Sequence, residues 1–138
     1  MQDSKEIEKK TPFEPRFKHL EFDEASAQGI ILDFLLTKMA LGELFVQRIN
    51  NTPIFDTNTG RHRSMPKGSH KGFPDILVIK DGRIIFFEVK SATGYQSKDQ
   101  VQMQNNLEMQ RAEYYIVRTL TYVVKALDLD PHSFYPSD

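Results

Sequence analysis

The sequence has 138 residues, a length typical of one domain, since soluble domains most often contain about 100–150 residues. Its 39% hydrophobic content supports a core, and the absence of Cys excludes disulfides, thiolate zinc sites and a cysteine nucleophile. A net charge of −1 at pH 7, taken alone, argues against a nucleic-acid-binding protein, which usually carries excess Lys and Arg. No apolar run approaches the roughly 18 residues that a membrane span needs. We therefore expect one domain with no membrane segment and no signal peptide.

The first half of the chain predicts an arm, a helix and a strand. Residues 1–20 are rich in Lys, Glu and Pro and predict an N-terminal arm. Asp23 is a suitable N-cap for a helix over about residues 24–40, where apolar side chains recur at helical spacing. Residues 44–49 then predict a short strand. Several Gly and Pro residues in 50–72 predict a long loop or an irregular hairpin.

The most regular local pattern is a β-hairpin. Two β-rich runs, 76–80 and 83–90, are joined by Asp81-Gly82, a pair typical of a two-residue type I′ turn. Both faces of this ribbon are apolar, which predicts a central pair of strands buried on both sides.

The rest of the chain completes an α/β pattern. Ser97 and Gln100 have the spacing of a capping box and predict a helix to about residue 112. A strand over 114–117 and a last helix over 119–127 follow, and residues 129–138 predict a tail. The order α-β-β-β-α-β-α predicts an α/β fold with a mixed central β-sheet flanked by helices.

The hairpin register predicts a charged site. If the turn is formed as expected, Asp75 falls opposite Glu88, and two opposed carboxylates are destabilising unless they share a proton or bind a cation. Lys90 projects from the same face as Glu88 because it lies two residues further along the strand. Two acids and a lysine at this place suit a hard cation and phosphate chemistry. The alternative is that both acids lie in solvent at strand ends and Lys90 makes an ordinary ion pair, since a one-residue slip removes the geometry.

These residues also resemble a known family. Gly72-Phe-Pro-Asp75 followed by Glu88-Val-Lys90 resembles the PD-(D/E)XK nuclease signature, and the flanking segments resemble its VRR-NUC branch. The resemblance covers about residues 22–128 and implies a restriction-endonuclease-like core, with a nuclease domain over 21–128. The flanking segments that carry it begin at Glu24, at Arg48, at Ser97 and at Val117.

The resemblance implies a role for each site residue. Asp75, Glu88 and the main-chain carbonyl of Val89 would bind Mg²⁺ or Mn²⁺. Lys90 would position or deprotonate the attacking water, and Glu24 would hold a metal-bound water or a second metal. Gln100 would act at the site in addition to its place in the capping box. The expected catalytic residues are therefore Glu24, Asp75, Glu88, Lys90 and Gln100.

DNA contacts are expected from a basic loop. Residues 57–74 contain no acid and carry four Lys or Arg, so this loop is suited to grip phosphates beside the catalytic strand. The alternative is a solvated loop whose charges balance the acidic N-terminal part. Gln28, one helical turn after Glu24, is also suited to contact DNA, and the alternative is that it is simply solvated. Asn51, in a segment that resembles the family, is expected at DNA. The expected DNA-binding residues are Gln28, Asn51, Arg61, Arg63, Lys67 and Lys71.

The function implied is that of a Mg²⁺-dependent, structure-selective DNA endonuclease acting at four-way or branched junctions. A homodimer is expected, because a symmetric four-way junction offers two equivalent strands to cut. The alternatives are a homing or nicking endonuclease on linear duplex, and a non-catalytic DNA-binding module of the same fold. The expected location is the cytoplasm of a bacterium or of a phage-infected host cell.

Overall fold

A computed structural model describes residues 23–49, 55–62 and 66–128, and these ranges contain three helices and six strands. The helices are α1 (Glu24–Ala40), α2 (Lys98–Met109) and α3 (Leu120–Ala126). The strands are β1 (Phe45–Arg48), β2 (Phe55–Asp56), β3 (Arg61–His62), β4 (Ile76–Lys80), β5 (Arg83–Val89) and β6 (Glu113–Val117). The expected arm and tail lie outside the described residues. None of the helices within those ranges is both long and apolar enough to cross a membrane.

Four of the strands form a mixed sheet in the order β1-β4-β5-β6. β1, β4 and β5 are antiparallel neighbours, whereas β6 runs parallel to β5. A parallel neighbour requires a crossover connection, and α2 provides it. The predicted α/β fold with a mixed central sheet is therefore confirmed. Within the described ranges β2 and β3 pair with each other alone, so the irregular hairpin, rather than a plain loop, describes 55–62.

The turn between β4 and β5 sets the register of the hairpin. Asp81 and Gly82 have φ angles of 49° and 77°, and two positive φ angles define a type I′ turn. Lys80 then pairs with Arg83, and at the other end Ile76 pairs with Phe87, as the Asp-Gly pair predicts. The register leads directly to Asp75 and Glu88 as the next opposed positions.

Helix α1 begins and ends where its pattern predicts. The Asp23 carboxylate accepts a hydrogen bond of 2.8 Å from the Ser26 N–H, which caps the helix. Ala27, Ile31 and Leu35 recur every four residues and are buried. They pack on one side of the sheet, which we call the core face. The core-face cluster contains Leu44, Val46, Ile76, Val78, Ile85, Phe87, Val89 and Val117 from the sheet and its flanks, with Val123 and Leu127 from the α3 region.

The opposite side of the sheet, which we call the α2 face, is buried at one end only. Phe86, Tyr114 and Met103 are buried there, where α2 packs against β6. Near the hairpin turn, however, Ile79 and Ile84 are 40% and 49% exposed. The prediction that both faces of the hairpin are buried is therefore wrong at its turn end. Helix α2 covers this face of the sheet beside β5 and β6, at the end that carries Asp75 and Glu88.

The ion pair between Arg83 and Glu113 links β5 to β6, and Arg83 also bonds to α3. The Arg83 guanidinium donates two hydrogen bonds of 2.7 Å to the Glu113 carboxylate and one of 2.9 Å to the carbonyl of Ala126. The Tyr115 hydroxyl donates a further bond of 2.6 Å to Glu113. The bonds from Arg83 hold the pKa of Glu113 near 2, well below its usual 4.5. Because this pKa is lowered, the ionised Glu113 stabilises the fold above about pH 4.5 and loses that effect as the pH falls towards 2.

Replacing Glu113 with Gln is expected to lower the free energy of unfolding at pH 7 by about 1–2 kcal/mol, the usual range for a partly exposed, charge-assisted bond. The deficit should shrink at pH 3, where the wild-type protein begins to lose the same interaction. Urea unfolding at both pH values measures it. Glu108→Gln, at an exposed position of α2, is the matched control and should change little. Equal stability of Glu113→Gln and the wild type at pH 7 would contradict this expectation.

Candidate metal centre and active site

Three carboxylates from separate elements meet at one end of the sheet. Glu24 is the first residue of α1, Asp75 directly precedes β4, and Glu88 is the penultimate residue of β5. One oxygen of each lies within 4.8 Å of the others. The hairpin register opposes Asp75 and Glu88, and α1 brings Glu24 to them because it packs against β5. The structure thus brings together all three acids that the sequence singled out.

Asp75 is fixed on both sides of β4. Its carboxylate accepts a hydrogen bond of 2.8 Å from the Val89 N–H on β5. Its main-chain carbonyl accepts one of 2.7 Å from the Ile49 N–H, which directly follows β1. These two bonds orient the carboxylate and bring it beside Val89. The role of the Val89 carbonyl as a ligand stays a prediction.

Glu88 is the most unusual side chain of the site, because it is a carboxylate that is only 1% exposed. Its Oε2 accepts a hydrogen bond of 3.1 Å from Gln100 Nε2 and lies 3.6 Å from Lys90 Nζ. Its Oε1 is buried and has no hydrogen-bond partner among the described residues. Burial, followed by the neighbouring Asp75 carboxylate, raises the pKa of Glu88 to about 8.

This donor set fits a hard divalent cation. Mg²⁺ and Mn²⁺ prefer oxygen ligands, and all three side chains supply carboxylate oxygens. A buried oxygen without a partner is costly, and a cation would satisfy Glu88 Oε1 and offset the repulsion from Asp75. The chemistry of the residues therefore agrees with the metal that the sequence predicts.

Lys90 and Gln100 both contact Glu88. Lys90 lies two residues after Glu88 on the same face of the sheet, and its side chain is only 12% exposed. Its main-chain N–H donates a hydrogen bond of 3.0 Å to the Val117 carbonyl. Gln100 completes the predicted capping box, since its Oε1 accepts from the Ser97 N–H at 2.8 Å. Its amide nitrogen is left to bind Glu88, so the capping position and the contact with the site coexist in one side chain.

Two side chains, Arg118 and Gln96, hold the loop between Lys90 and α2 by hydrogen bonds that the sequence did not predict. The Arg118 guanidinium donates hydrogen bonds to the carbonyls of Ser91 and Gly94, the latter at 2.8 Å. Gln96 Nε2 donates to Gln104 Oε1 at 2.9 Å and to the Tyr114 hydroxyl at 3.3 Å. Arg118 belongs to the segment beginning at Val117 that resembles the family, and the sequence predicts no role for it. A side chain that clamps a distant loop leaves no local pattern.

Tyr114 lies beneath this loop on the α2 face. Burial, with smaller contributions from the charges of Glu88 and Asp75, raises its pKa to about 12. The hydroxyl therefore stays protonated at neutral pH, and its oxygen accepts the hydrogen bond from Gln96 Nε2. The acidic site thus has a neutral, hydrogen-bonded neighbour at its base.

Gly72 is part of the recognised motif, but the sequence did not show that its backbone lies against α2. Its φ angle is +77°, and a Cβ built on it would lie 2.5 Å from the carbonyl carbon of Asp99 and 2.7 Å from the Gln100 nitrogen. Only a glycine permits this backbone contact. The segment leading to Asp75 is thereby seated on the first turn of α2, which carries Gln100.

Replacing Gly72 with Ala is expected to lower the free energy of unfolding by about 2–4 kcal/mol, because it adds a backbone clash to the cost of a positive φ angle. Gly68→Ala is the matched control. Gly68 has a φ angle of +89° but open space around it, so its change should cost only about 1–2 kcal/mol. Urea unfolding of both variants measures the difference. Equal losses would show that the close approach to α2 does not matter for stability.

The expected DNA-binding residues are less completely placed. Arg61 on β3 and Lys67 and Lys71 before β4 are exposed, and Gln28 on α1 is half-buried. Asn51 and Arg63 lie outside the described residues. Lys71 adjoins Gly72 and therefore lies close to the first turn of α2. DNA contact by these residues stays a prediction.

Comparison with known proteins concerns the fold. No family model matches the sequence, and no curated protein matches it. A solved structure described as a VRR_NUC domain superposes with a TM-score of 0.51 at 23% identity, over 76% of this chain and 94% of that chain. Another, described as a VRR_NUC domain protein, gives a TM-score of 0.49 at 14% identity, over 78% of this chain and 87% of that chain. This chain therefore has the fold of a VRR_NUC domain, as its sequence resemblance implies.

Proposed function

We propose that this protein is a Mg²⁺-dependent DNA endonuclease of the VRR-NUC type that hydrolyses phosphodiester bonds at four-way or branched junctions. The observation that supports this best is the buried Glu88. One of its carboxylate oxygens lacks a hydrogen-bond partner among the described residues, beside two further carboxylates and a lysine. Burying a carboxylate beside other carboxylates is energetically unfavourable. A site that binds a cation explains why such an arrangement is present.

Asp75, Glu88 and the carbonyl of Val89 would hold the metal, with Glu24 binding a metal-bound water or a second metal. When bound, Mg²⁺ or Mn²⁺ polarises the phosphate and lowers the pKa of a coordinated water. The bond from Val89 N–H and the bond from Gln100 hold the carboxylates of Asp75 and Glu88 in place for this purpose.

Lys90 is the residue best placed to act on the attacking water. Its Nζ lies 3.6 Å from Glu88 Oε2, at the edge of the carboxylate cluster. In the proposed reaction the water oxygen bonds to phosphorus and the bond to the 3′ oxygen breaks, leaving a 5′-phosphate and a 3′-hydroxyl. Lys90 orients that water as an ammonium or, in its neutral amine form, accepts the proton of the water, and solvent supplies the proton that completes the 3′-hydroxyl.

The surrounding surface would bind DNA and a second copy of the chain. The exposed Arg61, Lys67 and Lys71 suit phosphate contacts, and Gln28 lies one turn from Glu24. Arg63 and Asn51 belong to the same proposal. A homodimer would place two sites on the two strands of a junction, and a cytoplasmic location follows from the same resemblance.

A substrate panel tests this proposal. With Mg²⁺, the protein should cut a mobile four-way junction faster than a linear duplex of the same sequence, and both should be compared at equal arm length and salt. Cutting of the linear duplex at one sequence, as fast as the junction, would contradict junction selectivity and favour a homing or nicking enzyme. Binding of DNA without cutting in Mg²⁺ or Mn²⁺ would favour a non-catalytic module.

A further inference from the structure

An aromatic side chain stands out in solvent on the loop between two residues that contact Glu88. Tyr95 lies in the loop that joins Lys90 to α2 and is 84% exposed, more than any other large hydrophobic side chain among the described residues. Single exposed apolar residues are ordinary on protein surfaces. This one differs because the residues on both sides of it are held by hydrogen bonds.

Both neighbours of Tyr95 are anchored by hydrogen bonds. On one side, the Gly94 carbonyl accepts a bond of 2.8 Å from the Arg118 guanidinium. On the other, Gln96 Nε2 donates to Gln104 Oε1 and to the Tyr114 hydroxyl. The ring therefore projects from a loop that hydrogen bonds already hold in place. The entropy lost by ordering the loop when the ring binds a partner is therefore small.

The loop also begins and ends at site residues. Tyr95 lies five residues after Lys90 and five before Gln100, and both of these contact Glu88. Two exposed cations lie near the end of the loop, because Lys98 opens α2 and Lys71 adjoins the Gly72 contact with its first turn. The exposed Asp99 offsets one of these charges. An exposed aromatic ring on a loop that joins residues of the proposed nuclease site, with lysines near the end of that loop, suits a nucleotide better than a protein partner.

We propose that Tyr95 stacks on an unpaired nucleobase next to the scissile phosphate. The inference rests on the proposed nuclease function and adds to its substrates branched DNA that carries an unpaired or splayed nucleotide at the branch. In a fully paired duplex the faces of each base are covered by its neighbours, so the ring has nothing to stack on. Stacking is tolerant of sequence, since every base presents an aromatic face.

Three variants at Tyr95 test the proposal on two substrates. The substrates are a fork with unpaired nucleotides at its branch and a four-way junction in which every base is paired. On the fork, Tyr95→Ala and Tyr95→Leu should lower kcat/KM about tenfold or more, whereas Tyr95→Phe should stay within about twofold. On the paired junction all three should differ little from the wild type. Tyr122→Ala, at a tyrosine on α3 that is 48% exposed, is the control and should match the wild type on both.

A binding measurement separates this proposal from the nuclease proposal. In Ca²⁺, the wild type and Tyr95→Phe should quench the fluorescence of an unpaired 2-aminopurine placed at the fork, and Tyr95→Ala should not. Quenching without cleavage in Mg²⁺ supports stacking and overturns the nuclease. Cleavage that Tyr95→Ala leaves unchanged on both substrates, or lowers equally on both, overturns stacking and leaves the nuclease standing. An absence of quenching by the wild type also overturns the stacking proposal.

Discussion

Replacing Glu88 with Gln is expected to abolish Mg²⁺-dependent DNA cleavage, with a loss of about 10³-fold or more in rate, and to remove binding of the metal. Gln keeps the shape of the side chain and an acceptor for Gln100, so the fold should be retained. What it removes is the charge that Mg²⁺ would neutralise. Calorimetric titration with Mn²⁺, together with cleavage of a labelled junction, measures both effects. Wild-type binding and cleavage by Glu88→Gln would show that this carboxylate is not a ligand.

The same variant carries a stability prediction for the metal-free protein. Burial and Asp75 raise the pKa of Glu88 to about 8, above its usual 4.5. A carboxyl whose pKa is raised on folding stabilises the fold at low pH, and this contribution is lost as the pH rises from about 4.5 to 8. The slope is at most about 1.4 kcal/mol per pH unit. Metal-free wild type should therefore lose stability between pH 5 and pH 7 relative to Glu88→Gln, by about 2 kcal/mol. The same stability difference between the wild type and Glu88→Gln at pH 5 and at pH 7 would contradict this.

Replacing Lys90 with Ala is expected to lower the cleavage rate by about 10²–10⁴-fold, the usual contribution of a residue that moves a proton, while leaving metal binding intact. Lys90 Nζ lies near Glu88 Oε2 but supplies no oxygen ligand. Its loss leaves the carboxylates without a neighbouring cation, so affinity for Mn²⁺ should be equal to or greater than that of the wild type.

Lys125→Ala is the matched control for the change at Lys90. Lys125 is exposed on α3, among residues on the Arg83–Glu113 side of the sheet, and its loss should not affect cutting. The two variants are compared by single-turnover cleavage and by Mn²⁺ titration. Cleavage by Lys90→Ala at the rate of Lys125→Ala would exclude a role for Lys90 in the reaction. Loss of Mn²⁺ binding would instead show that Lys90 acts by holding the metal site together.

Much of the fold could be predicted because its signals are local. The Asp81-Gly82 pair fixes a type I′ turn, and the turn fixes every pair of the hairpin as far as Ile76 and Phe87. The Ser97 and Gln100 capping box similarly predicts the beginning of α2. In each case a few adjacent residues determine the backbone, so neither packing nor a partner from elsewhere in the chain needs to be known.

The parts that could not be predicted depend on contacts between distant segments. Gly72 is required by the backbone of Asp99, and Arg118 acts on carbonyls of the loop after β5. The exposure of Ile79 depends on how far α2 covers its face of the sheet. The place of Glu24 in the site was predicted only from the family resemblance. An acidic residue at the start of a helix is favourable in any protein and does not by itself indicate a metal ligand. These features follow from tertiary packing, and no local pattern marks them.

The most direct test of the carboxylate site is cleavage of an end-labelled DNA junction by the wild-type protein as Mg²⁺ is titrated. We expect no cutting in EDTA, cutting that rises and saturates with Mg²⁺ or Mn²⁺, and products that carry a 5′-phosphate. Glu88→Gln should remain inactive at every metal concentration. Intact junction at saturating Mg²⁺ and Mn²⁺ with bound wild-type protein, or equal cutting in EDTA, would contradict a metal-dependent nuclease built on Glu24, Asp75 and Glu88.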